Sequence, residues 1–241
     1  MNLPPAAVLI GLDDTDNASS PGTGRLARQL SAECARRGLR PLGVTRHQFL
    51  VDPRIPYTSH NSGACVAVEG EGGADAAAFA FDFVAERAAD GSDPGVCVAS
   101  AAVAGPEMVA FGRDAARRIV AREEAEALAR LTGAALRPLG GSGLGIIGAL
   151  ASVGGRAGGE GARFIDLPGL RELPERVTFA ALERMGIRLR REGGSPGADA
   201  EVCATLGWVR PRLAGGLPVL PLLWSDEHDA WVPVDRKHAR P

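Results

Sequence analysis

The chain has 241 residues, with 27 Lys and Arg against 29 Asp and Glu and 45% hydrophobic residues. That length can bury a real core as one large domain or two small ones, and the near-balanced charge gives no global case for non-specific nucleic-acid binding, leaving only local basic faces. Four scattered cysteines (Cys34, Cys65, Cys97, Cys203), without a C-x-x-C pair or clustered histidines, indicate neither a zinc site nor a disulfide framework.

In chain order, the first apolar run, Ala6 to Leu12, ends in Gly11-Leu12-Asp13-Asp14-Thr15-Asp16-Asn17. This pattern predicts a buried strand whose C-terminal end delivers three carboxylates to the edge where open α/β sheets bind ligands. Asp13, Asp14 and Asp16 repel one another at such spacing, and a hard divalent ion such as Mg²⁺ would relieve them. The alternative is an Asp/Thr/Asn turn that merely caps the next helix.

Ser19 to Gly24 then leads into a helix from Arg25, with apolar positions 26, 27, 30, 34 and 35 and Gly38 as its stop. Gly22 and Gly24 at that helix start allow close approach to backbone N–H groups, a setting suited to anions. The Thr23 hydroxyl has three open roles there: helix cap, metal ligand or phosphoryl acceptor. A strand is expected over Gly43–Val51. Two prolines forbid a helix from 52 to 57, and Thr58-Ser59-His60-Asn61-Ser62 concentrates hydrogen-bonding side chains before another strand at 64 to 68. Arg46 and His60 are candidates to contact a substrate, with a surface ion pair and a self-satisfied turn as their respective alternatives.

A helix over residues 74 to 90, a turn at Asp93-Pro94-Gly95, a strand at Val96–Ser100 and a mostly helical stretch from Pro106 to Thr132 follow. The second Gly-rich stretch runs from Leu139 to Gly154 and opens as a loop. It passes into an apolar helix with small residues at 145, 148, 149 and 152. Gly140, Gly141, Ser142, Gly143 and Gly145 could cradle phosphate through backbone N–H groups and one hydroxyl; a tightly packed buried helix is the other reading. Its G-x-G-x-x-G match lacks a preceding strand and a following acidic residue, so a dinucleotide fold is rejected.

Beyond about 160, the segment Arg163–Leu167 leads into a Pro/Gly-marked turn; short strands are expected at Ile187–Arg191, Trp208–Arg212, Pro218–Trp224 and Ala230–Val234, with a helix at Thr178–Met185. All three tryptophans lie here, and Arg188, Arg190, Arg191, Arg210 and Arg212 form either a basic face beside aromatics or a solvated surface. The fold class expected is α/β (α+β), mixed sheets with packing helices. Residues 1–157 would form the main region, with an inserted ferredoxin-like lobe within about 55–132 as an option, and 158–241 a small β-rich appendage. The N-terminus shows no basic leader and no apolar segment reaches about 18 residues, so a cytoplasmic protein with no membrane partner is expected.

Taken together, Gly11-Leu12-Asp13-Asp14-Thr15-Asp16, Gly22-Thr23-Gly24, Asp52-Pro53-Arg54-Ile55-Pro56-Tyr57, Asp93-Pro94-Gly95 and Gly143-Leu144-Gly145-Ile146-Ile147-Gly148-Ala149-Leu150-Ala151 resemble, in this order, the kinase-domain motifs of the archaeal tRNA-isoleucine agmatidine synthetase family. The resemblance implies Mg²⁺ and ATP as cofactors and phosphorylation of a tRNA cytidine, with phosphate also passed to a threonine of the enzyme itself. By motif, Asp13, Asp14 and Asp16 would hold Mg²⁺, Gly141 to Gly145 would cradle the ATP phosphates, and Thr23 stands at the modified threonine. Two departures are plain: the family's basic K-T-R-G-N is Thr58-Ser59-His60-Asn61-Ser62 here, and its G-R-G is Gly143-Leu144-Gly145. A phosphotransferase of this kind would use Arg46 and His60 on the substrate, His60 also as base. Its acceptor is left open between RNA and a small molecule, and an oligomer is allowed. A nucleotide-binding or RNA-binding adaptor without turnover is the competing expectation.

Overall fold

A computed structural model describes residues 3–56, 60–70, 73–193 and 200–235. The first strand, β1 (Val8–Asp13), is buried through Leu12 and lies at the centre of its region. Its side chains alternate between two cores. Val8, Ile10 and Leu12 join Leu26, Leu30 and Phe83, while Leu9 joins Met108, Phe111 and Leu150. A half-buried strand would show one polar face; this one is apolar on both because helices cover both sides of the sheet.

Its neighbours are β3 (Ser62–Glu69) and β4 (Gly95–Ser100), both antiparallel. β2 (Arg40–Gln48) flanks β3, and β5 (Ala135–Pro138) flanks β4. One face carries α1 (Thr23–Arg36) and α2 (Gly73–Arg87); the other carries α3 (Pro106–Ala115), α4 (Arg122–Thr132) and α5 (Gly145–Gly158). The stretch expected as mostly helix over 106–132 is thus two helices, parted at 116–121. β2 starts three residues before the expected Gly43 and ends at Gln48.

The C-terminal strands extend the same sheet. β6 (Arg163–Asp166) pairs with β2 on one side and with β10 (Arg212–Ala214) on the other. Beyond it lie β11 (Leu217–Ser225), β12 (Ala230–Pro233), β9 (Val202–Ala204) and β7 (Arg176–Thr178), with β8 (Arg188–Arg191) alongside β11. A one-turn 3₁₀ helix (Leu170–Glu172) and α6 (Phe179–Arg184) complete this part around a core of Phe164, Leu182, Leu213, Leu222 and Trp231. The fold is therefore mixed α/β, a 12-stranded sheet with helices packed on it. The strand expected at Trp208–Arg212 begins only at Arg212; Pro211 offers no N–H and instead accepts from Phe164 N–H at 2.8 Å.

All four cysteines are buried and unbonded, and burial pushes the thiols up, Cys34 to about 11 and Cys65 and Cys203 to about 12. Among the described residues no helix is long and apolar enough to cross a membrane.

Candidate functional site

The acidic turn leaves β1 through Asp14, whose φ of 50° puts a non-glycine residue in the left-handed region. The turn is tied down from outside: Ala89 N–H reaches the Thr15 carbonyl at 3.0 Å and Asn17 Nδ2 donates to the Asp90 carbonyl at 3.1 Å, both just past α2. Asn17 Oδ1 also accepts from Ser19 N–H at 3.0 Å. The carboxylates do not cap the next helix, since Gly22 is the N-cap of α1 and no side chain bonds there.

Thr23 is not the cap either. It is the first residue inside α1, buried, and its hydroxyl donates to Asp16 Oδ1 at 2.8 Å while accepting from the Thr15 N–H at 3.3 Å and hydroxyl at 3.1 Å. Gly22 and Gly24 flank it, and a Cβ on Gly22 would lie 3.7 Å from Asp16 Oδ2.

On the other face of the sheet, α5 begins directly over the end of β1. Gly148 has no room for a methyl because the Asp13 carboxyl already fills the place where its Cβ would be. Gly95, beside Asp13 in the ladder, touches the Gly145 backbone in the same way. The acidic turn and the start of α5 therefore meet around one cleft of about 210 Å³, whose wall includes Asp13, Asp14, Asp16, His60, Gly145 and Gly148. Ile119 and Leu144, both substantially exposed, add apolar surface to it. Arg54 and Arg118 also reach the cleft, engaged respectively by Asp52 at 2.8 Å and by Asp114 and Glu124 at 2.9 and 2.7 Å. Tyr57, Thr58 and Ser59 lie outside the described residues.

Electrostatics follow from this crowding. Burial raises Asp13 to about 7; the Asp14 N–H opposes it, and the charges of Asp14, Asp16 and Asp93 add to it. Burial, Asp93 and Asp16 raise Asp14 to about 6. Burial and mutual repulsion thus favour the neutral form of each group relative to a free carboxyl.

Asp93 is the residue that sequence reasoning passed over. Its carboxylate accepts from Gly143 N–H at 2.7 Å, Leu144 N–H at 3.0 Å and the Ser142 hydroxyl at 2.5 Å. Two of the donors expected to cradle phosphate, the Ser142 hydroxyl and the Gly143 N–H, are thus turned to an anion of the chain itself. The Asp93-Pro94-Gly95 turn was visible in the sequence, but nothing local ties it to a loop 50 residues away. Gly140 packs on Pro94, Gly141 on Asp93, and the Ser142 carbonyl accepts from Arg122 at 2.7 Å. Of this loop, Leu144 and Gly145 face the cleft; Gly140 to Gly143 do not line it. Asp93→Asn is expected to cost about 1 kcal/mol and to speed amide exchange at Gly143 and Leu144, because one charged acceptor serving three donors is removed. Unchanged exchange at those two amides, read by NMR, would show that the clasp does not order the loop.

Arg46 is on the α1 side of the sheet, half-buried, with Nε donating to Ser62 Oγ at 3.0 Å. Burial lowers its pKa and Asp16 raises it, so it senses the turn from behind rather than from within the cleft. Among the described residues no three His, Cys, Asp or Glu side chains converge as a metal cage. Of the C-terminal arginines, Arg190 pairs with Glu192 at 2.5 Å, Arg191 with Glu201 at 3.7 Å and Arg212 with Asp235 at 2.9 Å. Arg210 instead stacks on Trp208 at 3.9 Å.

No protein-family model matches the chain. No curated protein sequence matches it either. Solved structures do. A complex of TiaS with its isoleucine tRNA and ATP aligns with 26% identity and a TM-score of 0.55, over 62% of this chain and 36% of that one. A complex of TiaS with the same tRNA, AMPCPP and agmatine gives 25%, 0.53, 61% and 36%, and apo TiaS, a tRNA agmatidine synthetase, 23%, 0.54, 61% and 35%. The chain resembles part of TiaS in fold and spans about a third of its length.

Proposed function

We propose that this chain is a Mg²⁺/ATP-dependent phosphotransferase, with residues 1–157 carrying the nucleotide site and 158–241 bordering the acceptor. The observation that carries this reading is the meeting of the Asp13-Asp14-Thr15-Asp16 turn and the first turns of α5 around one cleft that also holds His60. The donor set fits the ion. Mg²⁺ is commonly held by one or two carboxylates and completed by phosphate oxygens and water, so a full protein cage is not required. Bound there, it would neutralise charge on the transferring phosphoryl group.

In this reading Asp13 and Asp14 hold the ion; burial and the neighbouring carboxylates raise both groups, and a cation placed between them would offset that cost. Asp16 keeps the Thr23 hydroxyl fixed, and His60 positions or deprotonates the acceptor. The buried Thr23 hydroxyl would need the turn to open before it could accept phosphate. The likeness to the ATP-bound and AMPCPP-bound TiaS complexes supports ATP as the nucleotide.

Asp14→Asn is expected to weaken Mg²⁺-dependent ATP binding at least about tenfold by isothermal titration, since one charge-compensating ligand is lost. Equal binding by both proteins, or none by either, overturns the assignment. The Asp93 clasp favours a second reading, an adaptor that binds nucleotide or RNA without turnover, because the Ser142 hydroxyl and the Gly143 and Leu144 N–H groups are already taken by Asp93. Radiolabelled ATP separates the two: ADP release or label on the protein requires chemistry.

A further inference from the structure

A second charged neighbourhood lies on the α1 side of the sheet, where β2, β6 and α1 meet the segment before β10. Arg46 and Arg163 stand directly opposite each other across the β2–β6 ladder, so their side chains leave the same face. Arg171, from the 3₁₀ turn, donates to the Ile165 carbonyl at 2.9 Å. The Ile165 side chain packs against the first turn of α1 at Gly24, whose carbonyl accepts from Arg28 at 3.1 Å. The bond from Phe164 N–H to Pro211 places the neighbouring Arg210 beside β6, its guanidinium over the Trp208 ring.

The partners of Arg28, Arg171 and Arg210 in these contacts are carbonyls and a ring, which carry no charge. Arg163 differs, being paired with Asp235. Among the carboxylates acting here are Asp166, which interacts with Arg171, Arg28 and Glu172, and Asp16, which interacts with Arg46. Burial and the combined field of Arg171, Arg46, Arg28 and Arg163 push Arg210 down to about 10. Like charges gathered from four separate elements raise the energy of the empty arrangement, and planar guanidinium forks match phosphate oxygens.

We infer that Arg28, Arg171 and Arg210, with Arg46 linking them to Asp16, form an anion site for a phosphate ester. Its place as the acceptor's anchor rests on the phosphotransferase reading; the binding itself does not. A phosphorylated small molecule and the backbone of a single-stranded RNA both offer that group.

The test uses the full chain, wild type and an Arg171→Ala/Arg210→Ala variant, with circular dichroism to confirm folding. Arg171→Ala alone, at an exposed position, serves as the variant whose folding is least at stake. Ribose 5-phosphate, with ribose as control, is titrated by calorimetry, and a short fluorescein-labelled single-stranded RNA by anisotropy at two salt concentrations. At least one probe should bind the wild type and lose about tenfold or more in affinity in the double variant, with a smaller loss for Arg171→Ala. RNA binding alone, steeply salt-dependent, identifies a nucleic-acid backbone; ribose 5-phosphate binding alone identifies a small phosphorylated ligand. Failure of both probes on the wild type, or equal binding by the variants, overturns the site. A parallel Mg²⁺–ATP titration keeps the two ideas apart: Arg-dependent phosphate binding without ATP binding leaves the anion site standing and removes the phosphotransferase reading.

Discussion

Gly11→Ala is expected to lower the thermal midpoint by roughly 6–12 °C, the equivalent of about 3 kcal/mol in a chain of this size. Gly11 lies mid-strand in β1 beneath α5. An added methyl would fall inside the contact surface of the Ala149 carbonyl and 2.9 Å from a Val153 methyl. The carbonyl belongs to a helix interior and cannot turn aside, so the helix would have to lift from the sheet. Lifting it also parts the acidic turn from Gly148, and binding at the cleft should weaken along with stability. Gly24→Ala is the matched control. Its new methyl would meet only the flexible end of Ile165 at 3.1 Å, and alanine's better helix propensity offsets that contact, leaving a change within about 1 kcal/mol. Thermal melts of the two variants side by side decide the matter, and equal midpoints would mean that α5 is not seated as described.

The second large effect concerns acid stability. His47 is 5% exposed, its Nε2 is 2.9 Å from Thr45 Oγ1, and its Nδ1 backs onto Gly155 of α5. Burial, and then the nearby Arg156 guanidinium, push its pKa down to about 3. In the unfolded chain the ring titrates near its ordinary value of about 6.5. Between those values the unfolded state binds a proton that the folded state refuses. The stability this neutral ring permits is complete above about pH 6.5 and is lost as the pH falls. At about pH 4.5 the loss amounts to about 3 kcal/mol. Urea denaturation near pH 7.5 and 4.5 should therefore show the wild type losing about that much more than His47→Gln. Parallel losses would mean that the ring takes up a proton inside the fold.

How much of this was legible depended on range along the chain. β1, α1 and the start of α5 could be read because each carries its own periodicity or its own run of small residues. The small residues at 145, 148 and 149 foretold close packing on a sheet, which is what Gly148 against Asp13 provides. Strands of three or four residues, such as β5, β7 and β9, carry too little alternation to stand out and form because a neighbour offers an edge. The carboxylate turn was visible as a cluster of like charges, and its meeting with α5 followed from both lying at one end of the sheet. The Asp93 clasp was not visible, since it joins two loops whose only relation is spatial. Arg188, Arg190, Arg191, Arg210 and Arg212 looked alike in sequence. Their surroundings separate them: Arg190 and Arg212 meet carboxylates, Arg191 meets both Glu201 and the rings of Phe179 and Trp231, and Arg210 meets a tryptophan and other cations.

The buried cysteines have a practical consequence. Thiols held that far above neutrality carry almost no thiolate under ordinary labelling conditions, so maleimide reagents should pass them by. A single cysteine introduced at a solvent-facing position, for instance Leu131→Cys where the leucine is 77% exposed, would then take a fluorophore against a silent background. No native cysteine need be removed first, and α4 could be followed optically in the otherwise unaltered chain.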